Sequence, residues 1–302
     1  MRVFVTGATG FIGTAVVNEL LTAGHTVLGL ARSGAAAAAL TAAGAEVQRG
    51  ALEDHDSLRS GAAAADGVIH LAFIHDFSDI HAAGETDRRA IDVLGAALAG
   101  SGRPLVTTSG TLVLAEGRLG AEDDAPPAGS PASHRSASEA TTLSFASQGV
   151  RASLVRLPPT VHGEGDHGFV PMLIGIAREK GVAAYVGDGQ NRWPAVHRLD
   201  AARLYRLVLE HGTAGARYHG VADEGVPTRE IAAAIGRRLN VPVVSKSGDD
   251  AAQHFGWLGR LFGMDAPASS ARTRERLGWE PVHATLLEDL DQPHYFEART
   301  PA

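Results

Sequence analysis

The chain has 302 residues and a formal net charge of −7, with 44% hydrophobic and 20% charged residues. This makeup is typical of a globular protein with a large buried core, arranged as one large domain or two smaller ones. The acidic balance provides no basic field for phosphate backbones or anionic lipid, so we expect a small-molecule ligand and neither nucleic acid nor a membrane. The absence of cysteine excludes disulfides, thiolate nucleophiles and cysteine-ligated zinc.

Short apolar runs alternate with longer segments of helical period through the first half of the chain. The runs predict strands at residues 3–6, 26–31, 68–72, 104–109 and 152–157, and the periodic segments predict helices at residues 11–23, 35–43, 86–98 and 133–148. This alternation is typical of a parallel sheet with crossover helices. A polar loop at residues 116–131, rich in Gly, Pro and Asp, resembles a flap over a site.

The pattern changes after Pro158 and Pro159. Irregular glycine-rich pieces follow at residues 162–168 and 187–191, and helices are predicted at residues 201–210, 228–239 and 271–277. We expect a larger domain at residues 1–158 and a smaller α+β substrate-binding lobe at residues 159–302. One segment near residues 190–222 is expected to return to the large sheet.

The segment TGATGFIG at residues 6–13 follows a predicted strand and opens a predicted helix. Its first glycine permits a tight turn, its second lets the backbone approach a pyrophosphate, and its third lets the helix pack close to the strand. The helix N-terminus supplies free N–H groups and a positive dipole. The sequence therefore predicts a Rossmann-type doubly wound parallel sheet that holds a dinucleotide. The cofactor-binding residues in this segment are Gly7, Thr9, Gly10, Phe11, Ile12 and Gly13.

The second predicted strand ends beside Arg32 and Ser33, where an NAD-selective site places an acidic residue for the ribose hydroxyls. Arginine at this point suits the 2′-phosphate of NADP instead. We therefore expect NADP(H), with NAD(H) as the less favoured cofactor, and we assign both residues to its binding.

Five segments resemble the short-chain dehydrogenase/reductase superfamily, in particular its extended branch of NAD-dependent epimerases/dehydratases and 3β-hydroxysteroid dehydrogenase-like proteins. They are TGATGFIG (6–13), VIHLA (68–72), VTTS (106–109), VRLPPTVHG (155–163) and VHRLDAA (196–202). The resemblance implies that the segment beginning at His70 lines the cofactor ribose and that residues 157–161 lie by the nicotinamide. The residues so implied are Leu71, Ala72, Phe73, Pro158, Thr160 and Val161.

The resemblance also implies a catalytic Ser or Thr, a Tyr with a Lys four residues later, and an Asn. The Tyr needs a nearby cation because its unperturbed pKa is about 10. Ser109 matches the serine, but His134 falls at the Tyr, Ser138 at the Lys and Asp92 at the Asn. Since histidine can act as an acid or base near neutral pH without a lysine, we expect His134 to supply the proton. The alternative is a polar residue in a first helical turn.

Several residues are candidates for contact with the substrate. Thr111 lies close to Ser109 in sequence, and His162 stands where many extended members have a Tyr. By analogy, Arg192, Trp193 and His197 face the substrate pocket. In sugar-nucleotide relatives a basic residue near Arg192 holds the diphosphate, but the scarcity of other basic residues indicates a more apolar ligand. Packing of Trp193 in the interior is the alternative.

Three functions follow from this pattern. The leading one is an NADP(H)-dependent oxidoreductase that moves hydride to or from a carbonyl, imine or activated alkene of a small organic molecule. The alternatives are a non-redox isomerase, epimerase or dehydratase with bound cofactor, and a non-catalytic NADP(H)-binding sensor, which the missing Tyr and Lys favour. The histidine spacings match no metal-binding signature, so no metal is expected.

Two expectations concern the setting of the protein. The first strand leads directly into the glycine segment with no leader before it, and no apolar run reaches membrane-spanning length, so we expect a cytoplasmic location. A homodimer through the helices predicted at residues 86–98 and 133–148 is left open.

Overall fold

The computed structural model describes residues 1–75, 79–127 and 133–297. The strands are β1 (Arg2–Thr6), β2 (Thr26–Ala31), β3 (Glu46–Arg49), β4 (Gly67–His70), β5 (Pro104–Gly110), β6 (Arg151–Leu157), β7 (Thr160–His162), β8 (Ala183–Val186), β9 (Arg192–His197), β10 (Arg217–His219), β11 (Asp223–Pro227) and β12 (Val243–Lys246). The α-helices are α1 (Phe11–Thr22), α2 (Gly34–Ala42), α3 (His55–Ala63), α4 (Ile80–Leu98), α5 (Ser133–Ser144), α6 (Phe169–Lys180), α7 (Arg198–His211), α8 (Thr228–Leu239), α9 (Gly248–Phe255), α10 (Leu258–Phe262), α11 (Ala271–Leu277) and α12 (Leu286–Leu290).

Seven of the described strands form one parallel sheet in the order β3-β2-β1-β4-β5-β6-β10. The strand β1 pairs with β2 on one side and with β4 on the other. Because the chain order reverses between β1 and β4, a crevice opens at their carboxyl ends, which is where open α/β sheets bind ligands. The prediction of a Rossmann-type doubly wound sheet is confirmed.

Both faces of this sheet are covered, which explains why its strands are continuous apolar runs. On one face α1 and α7 pack over residues such as Val3 and Val5, and Tyr205 belongs to the same core. On the other face α3, α4 and α5 cover a second core that includes Phe4 and Leu94. The two helix layers hold the carboxyl edge of the sheet in a fixed position.

A buried ion pair ties α5 to the sheet. Arg156 on β6 is fully buried, and its guanidinium donates to both carboxylate oxygens of Glu139 on α5, at 2.8 and 2.6 Å. The same guanidinium donates to the carbonyl oxygen of Asp124 at 3.0 Å. Breaking a buried pair of this kind leaves an uncompensated charge, at a cost of about 3–5 kcal/mol. Arg156 therefore fixes α5 and the loop after β5 together.

The smaller lobe contains two further sheets, β11-β9-β7 and β12-β8. Its core surrounds Trp193, which is fully buried and lies edge-on to Phe262 with ring centroids 5.1 Å apart. The strand β10, at residues 217–219, leaves this part of the chain and pairs with β6 in the large sheet. The domain boundary near residue 158 stays a prediction.

The observed elements differ from the predicted ones in a few places. The helix α4 begins six residues before its predicted start, because the side chain of Asp79 caps it by accepting from the amide of Ala82 at 3.0 Å. The helix α6 lies between the two irregular pieces, in a stretch for which no element was predicted. The helix predicted at 133–148 ends at Ser144 and continues as a 3-10 turn closed by Gly149 at φ +71°. Part of the polar loop at 116–131 lies outside the described residues.

No helix in the described ranges combines the length and the apolar character needed to cross a bilayer.

Candidate active site

The turn between β1 and α1 has the shape of a phosphate cradle. Gly7 has φ +68°, and an added Cβ there would lie 2.7 Å from the amide nitrogen of Ala72, so a side chain is excluded. An added Cβ on Gly13 would overlap the carbonyl oxygen of Gly7, which is why α1 can begin so close to β1. No described side chain caps α1, and its first turn holds no acidic residue. Its first N–H groups are therefore available to an anion, and these residues fit a dinucleotide diphosphate.

The other predicted cofactor residues lie in the turns that follow β1, β4 and β6. Thr9 and Gly10 are exposed at the turn, and Phe11 and Ile12 are half-buried at the start of α1. Leu71 to Phe73 follow β4, and the amide of Ala72 donates to the hydroxyl of Thr6 at 3.3 Å. The residues near the join of β6 and β7 are Pro158, Thr160 and Val161.

The carboxyl end of β2 presents arginines and no carboxylate. Its last residue is Ala31, which is buried, and Arg32 after it is exposed, with no hydrogen bond or ion pair to another described residue. Ser33 caps α2 by accepting from the amide of Ala36 at 3.1 Å. Arg49 donates to the Ser33 carbonyl at 2.6 Å, so a second guanidinium lies beside the first position of α2.

Three buried hydroxyl groups at or after the ends of β5 and β6 lack hydrogen-bond partners. The Oγ of Ser109 and the Oγ1 atoms of Thr111 and Thr160 are buried, and none has a partner in the described parts of the chain. An unpaired buried hydroxyl costs free energy, so such groups are uncommon in native structures. A ligand oxygen in the crevice would satisfy them.

The helix α5 runs alongside β5 and brings further predicted residues to this edge. The hydroxyls of Thr107 and Thr142 are 2.9 Å apart. One helical turn before Thr142 stands Ser138, and two strand residues after Thr107 stands Ser109. Each of these two steps covers roughly 5–7 Å along the axis of the helix or the strand, so Ser138 and Ser109 lie at a similar height along β5. The first turn of α5, which contains His134, is then next to the residues that follow β5.

A buried polar network connects α5 to α4 and β4. Asp87 on α4 accepts from Ser138 Oγ at 2.6 Å and from His70 Nε2 at 3.1 Å. The other ring nitrogen of His70, Nδ1, is 2.7 Å from the hydroxyl of Thr6. Since a carboxylate only accepts, His70 carries its proton on Nε2, and in its neutral form Nδ1 accepts from Thr6. The network thus reaches from the cofactor turn to the residue in the position of the family's Lys.

Arg135 provides the positive charge of this network. Its Nη1 lies 3.7 Å from Asp87 Oδ2, and its guanidinium carbon lies 3.5 Å from the centre of the Phe73 ring. Burial opposes the ionised form of Asp87, but the hydrogen bond and charge of His70, with Arg135 and Ser138, hold its pKa below the usual range. Asp87 is therefore a carboxylate at neutral pH.

His134 lies where α4 and α5 approach most closely. An added Cβ on Gly84 would be 2.5 Å from the Cβ of His134, so the glycine makes room for it. The Nδ1 atom of His134 is buried without a partner among the described residues. Burial, and then the charge of Arg135 and the nearby ring of His81, lower its pKa, while Asp87 opposes the shift. The imidazole is therefore neutral at neutral pH.

Asp92 does not reach the site, contrary to the expectation from the family motif. It is exposed on α4, whereas Asp87 on the same helix is 1% exposed. Five residues rotate a helix by about 140° beyond a full turn, which places the two carboxylates on different faces. Asp87 and not Asp92 contacts Ser138.

Trp193 and Arg192 were expected to face the substrate pocket, but both side chains are engaged with other parts of the protein. Trp193 is fully buried, and its indole N–H donates to the carbonyl of Leu261 at 3.2 Å, so it packs in the core of the smaller lobe. Arg192 donates from Nε and Nη2 to both carboxylate oxygens of Asp265, at 2.9 and 2.8 Å. A bidentate pair of this kind satisfies two of the guanidinium nitrogens of a residue that was expected to contact the substrate.

His162 and His197 form a separate histidine cluster on the paired strands β7 and β9. The two rings meet edge-on with centroids 5.4 Å apart, and His197 stacks on His283 at 4.8 Å. Asp289 accepts from His162 Nδ1 at 2.8 Å. Burial, followed by the charges of His162 and His283, lowers the pKa of His197 to about 4. No group of three or more metal-ligating side chains converges among the described residues.

Sequence reasoning missed Asp87 and Arg135, although a signal for the first was present. Ala83, Asp87, Ile91 and Leu94 follow the spacing of one buried helix face, so a carboxylate interrupts an apolar stripe. A charge in such a stripe must be paired or hydrogen-bonded. No comparable signal marks Arg135, because its partners come from two other elements.

The chain matches known proteins over most of its length. The pattern of the NAD dependent epimerase/dehydratase family covers residues 3–221. An uncharacterized protein of Schizosaccharomyces pombe is 56% identical over 297 residues, which covers 98% of this chain and 100% of that protein. A 4-hydroxy-2-methyl-3-oxo-4-farnesyl-3,4-dihydroquinoline-1-oxide ketoreductase of Stigmatella aurantiaca is 31% identical over 229 residues, covering 72% of this chain and 67% of that protein.

Among solved structures, the chain is similar in fold to a double mutant of DesIV, a dTDP-glucose 4,6-dehydratase of Streptomyces venezuelae with NAD and DAU bound. The TM-score of the double mutant is 0.78, with 22% identity and coverage of 99% of this chain and 98% of that chain. A second DesIV structure has a TM-score of 0.76. At this identity the likeness concerns the fold.

Proposed function

Because the chain belongs to the NAD-dependent epimerase/dehydratase family, we propose that it is an NADP(H)-dependent reductase of a small organic carbonyl compound, with imines and activated alkenes as related substrates. The observation that carries the proposal is the buried, unpartnered Oγ of Ser109 at the carboxyl end of β5, at the same edge of the sheet as the glycine turn. A hydroxyl held without a partner is ready to donate to a substrate oxygen. The ketoreductase among the relatives acts on a ketone, which agrees with this chemistry.

The proposed division of labour follows from the contacts. A nicotinamide dinucleotide, when bound, would supply the hydride. Ser109 donates to the substrate oxygen, and His134 in its protonated imidazolium form is the candidate donor of the proton that this oxygen gains, so the resting neutral ring must first take up a proton. Asp87 and Arg135 hold each other and Ser138 in place, so their role is to position α5.

The NADP preference is supported by the end of β2. The acidic residue that an NAD-selective site needs there is absent, since β2 ends in Ala31, and Arg32 has no partner among the described residues. A guanidinium donating to the 2′-phosphate forms charge-assisted hydrogen bonds, which contribute about 1.5–3 kcal/mol.

The pairing of Arg192 bears on the substrate class. Its Nε and Nη2 atoms already donate to both oxygens of Asp265, so a sugar nucleotide diphosphate would have to compete with this carboxylate. We propose a substrate without a diphosphate group.

The test combines binding and turnover. Calorimetric titration with NADPH, NADP+, NADH and NAD+ is expected to show tighter binding of the phosphorylated pair, and Arg32→Ala is expected to weaken it roughly tenfold or more. The exposed Arg59, which pairs with Asp56 on α3, supplies the control variant Arg59→Ala. Equal affinity for NAD+ and NADP+ would refute the preference.

Turnover is measured as NADPH oxidation against a panel of ketones, β-keto acids and imines. Ser109→Ala is expected to lower kcat/KM by about 10²–10³, the usual effect of removing one donor to a developing oxyanion. Ser153→Ala is a matched control, because Ser153 is also a buried serine with an unpartnered hydroxyl but lies on β6. Cofactor binding without turnover of any compound would favour a non-catalytic sensor instead.

A further inference from the structure

The first residues of two parallel helices meet beside the glycine turn. Arg206 on α7 donates to Glu19 on α1 at 2.7 Å, and Glu210 at the end of α7 is 2.9 Å from His25, just after α1. The carboxyl ends of the two helices are therefore together, and so are their amino ends. Phe11 is the first residue of α1, and Arg198 is the first residue of α7.

Arg198 lies close to the proposed phosphate cradle. Its guanidinium carbon is 5.2 Å from the centre of the Phe11 ring. Two glycines of the loop after β7 lie beside it: an added Cβ would be 3.7 Å from the guanidinium at Gly165 and 3.3 Å from Arg198 Cγ at Gly163. Both glycines have positive φ, at +133° for Gly163 and +87° for Gly165.

This position has an electrostatic cost, which the face of the Phe11 ring offsets only in part. Cations are unfavourable at helix N-termini, where the dipole is positive, and here two such termini and a guanidinium converge. Arg198 has no hydrogen bond or ion pair with any other described residue, although it is half-buried. The carboxylate nearest in sequence, Asp200, accepts from the amides of Val282 and His283, and Glu164, between the two glycines, is exposed and forms no ion pair with Arg198.

We infer that Arg198 binds the diphosphate of the dinucleotide, opposite the N–H groups at the start of α1. An anion between the two helix ends satisfies both dipoles and the guanidinium at once. The inference rests on the proposed function, because it presupposes that a dinucleotide binds at the glycine turn. It assigns to the smaller lobe a direct part in holding the cofactor.

The test uses three probes with the full chain: NADP+, ADP-ribose, which keeps the diphosphate, and adenosine 2′-phosphate, which lacks it. Arg198→Ala is expected to weaken NADP+ and ADP-ribose about tenfold and to leave adenosine 2′-phosphate within about twofold. Arg198→Lys keeps the charge and is expected to fall between. Arg203→Ala is the control, since Arg203 lies on α7 and donates only to the Glu280 carbonyl among the described residues.

The possible results separate a failure of the inference on Arg198 from a failure of the proposed function. Unchanged affinity of Arg198→Ala for NADP+ and ADP-ribose would overturn the inference while the wild type still binds cofactor. Equal weakening of all three probes would also overturn it, because that points to damage of the whole site. If the wild type binds no dinucleotide, the proposed function fails first. Should Arg198→Ala unfold, Arg198→Gln keeps a polar side chain without the charge and gives the same comparison.

Discussion

Replacing Asp87 by alanine removes the centre of the buried network between α4, α5 and β4. Ser138 Oγ and His70 Nε2 lose their acceptor, and Arg135 loses its nearest carboxylate. Removing one partner of a buried charged pair costs about 3–5 kcal/mol, because the remaining groups stay buried and unpaired. Urea denaturation followed by circular dichroism measures this loss of unfolding free energy.

Asp92→Ala is the matched control, because Asp92 is the same residue type on the exposed face of the same helix. We expect it to change the free energy of unfolding by no more than about 0.5 kcal/mol. If Asp87→Ala cost no more than Asp92→Ala, the network would not stabilise the fold, and the role of Asp87 in positioning α5 would be refuted.

The ionisation of Asp87 is expected to make the stability of the protein depend on pH. The folded pKa of Asp87 lies below its usual value of 3.8, since His70, Arg135 and Ser138 outweigh the effect of burial. Its contribution to stability is therefore present above about pH 4 and is lost as the pH falls through the folded pKa. Asp87→Asn, which keeps the shape, is expected to show a shallower loss of stability in that acid range than the wild type.

Two further changes test the packing around the site. Gly84→Ala places a Cβ 2.5 Å from that of His134, so it should destabilise the chain by about 1–3 kcal/mol, and an unchanged melting temperature would contradict the close approach of α4 and α5. His197 has a folded pKa of about 4 against 6.5 when unperturbed, so wild-type stability should fall as the pH drops from 6.5 through 4. His197→Asn, which can still cap α7, should lessen that fall in acid denaturation. If the unfolding free energy of the variant fell with pH as steeply as that of the wild type, His197 would not be the cause of the fall.

Local patterns were enough to predict the elements that carry the cofactor cradle. The buried runs of β1, β5 and β6 and the glycine spacing at residues 6–13 are short-range signals, and the strand order follows once the helices between them are recognised. The strand β3 was not predicted, because an edge strand of sequence EVQR is mostly exposed and carries no apolar run. The start of α4 was missed because its first two turns hold only one large apolar side chain, Ile80, and a glycine at position 84, so the apolar periodicity becomes clear only further along.

The site was harder to predict than the fold, since its partners are distant in sequence. Ser109 and Thr111 could be placed at the carboxyl end of a strand, where ligands bind in such sheets. That Asp87 rather than Asp92 faces Ser138 depends on where α4 begins and how it rotates against α5. The burial of Trp193 depends on Phe169 and Phe262, which lie 24 and 69 residues away.

In the proposed active site, His134 and Ser138 stand in place of the Tyr and Lys that the resemblance implies, which changes what the pocket can do with a proton. The cation is now Arg135, and a guanidinium stays protonated in proteins, so it cannot itself be the acid. It is also held by Asp87 and the Phe73 ring, and it lowers the pKa of the neighbouring His134. A lowered pKa makes the imidazolium a stronger acid but a rarer species at neutral pH. In the proposed reduction, burial and the charge of Arg135 thus make the proton donor a stronger acid but a less populated one, whereas a lysine beside a tyrosine lowers the pKa of the donor toward neutrality.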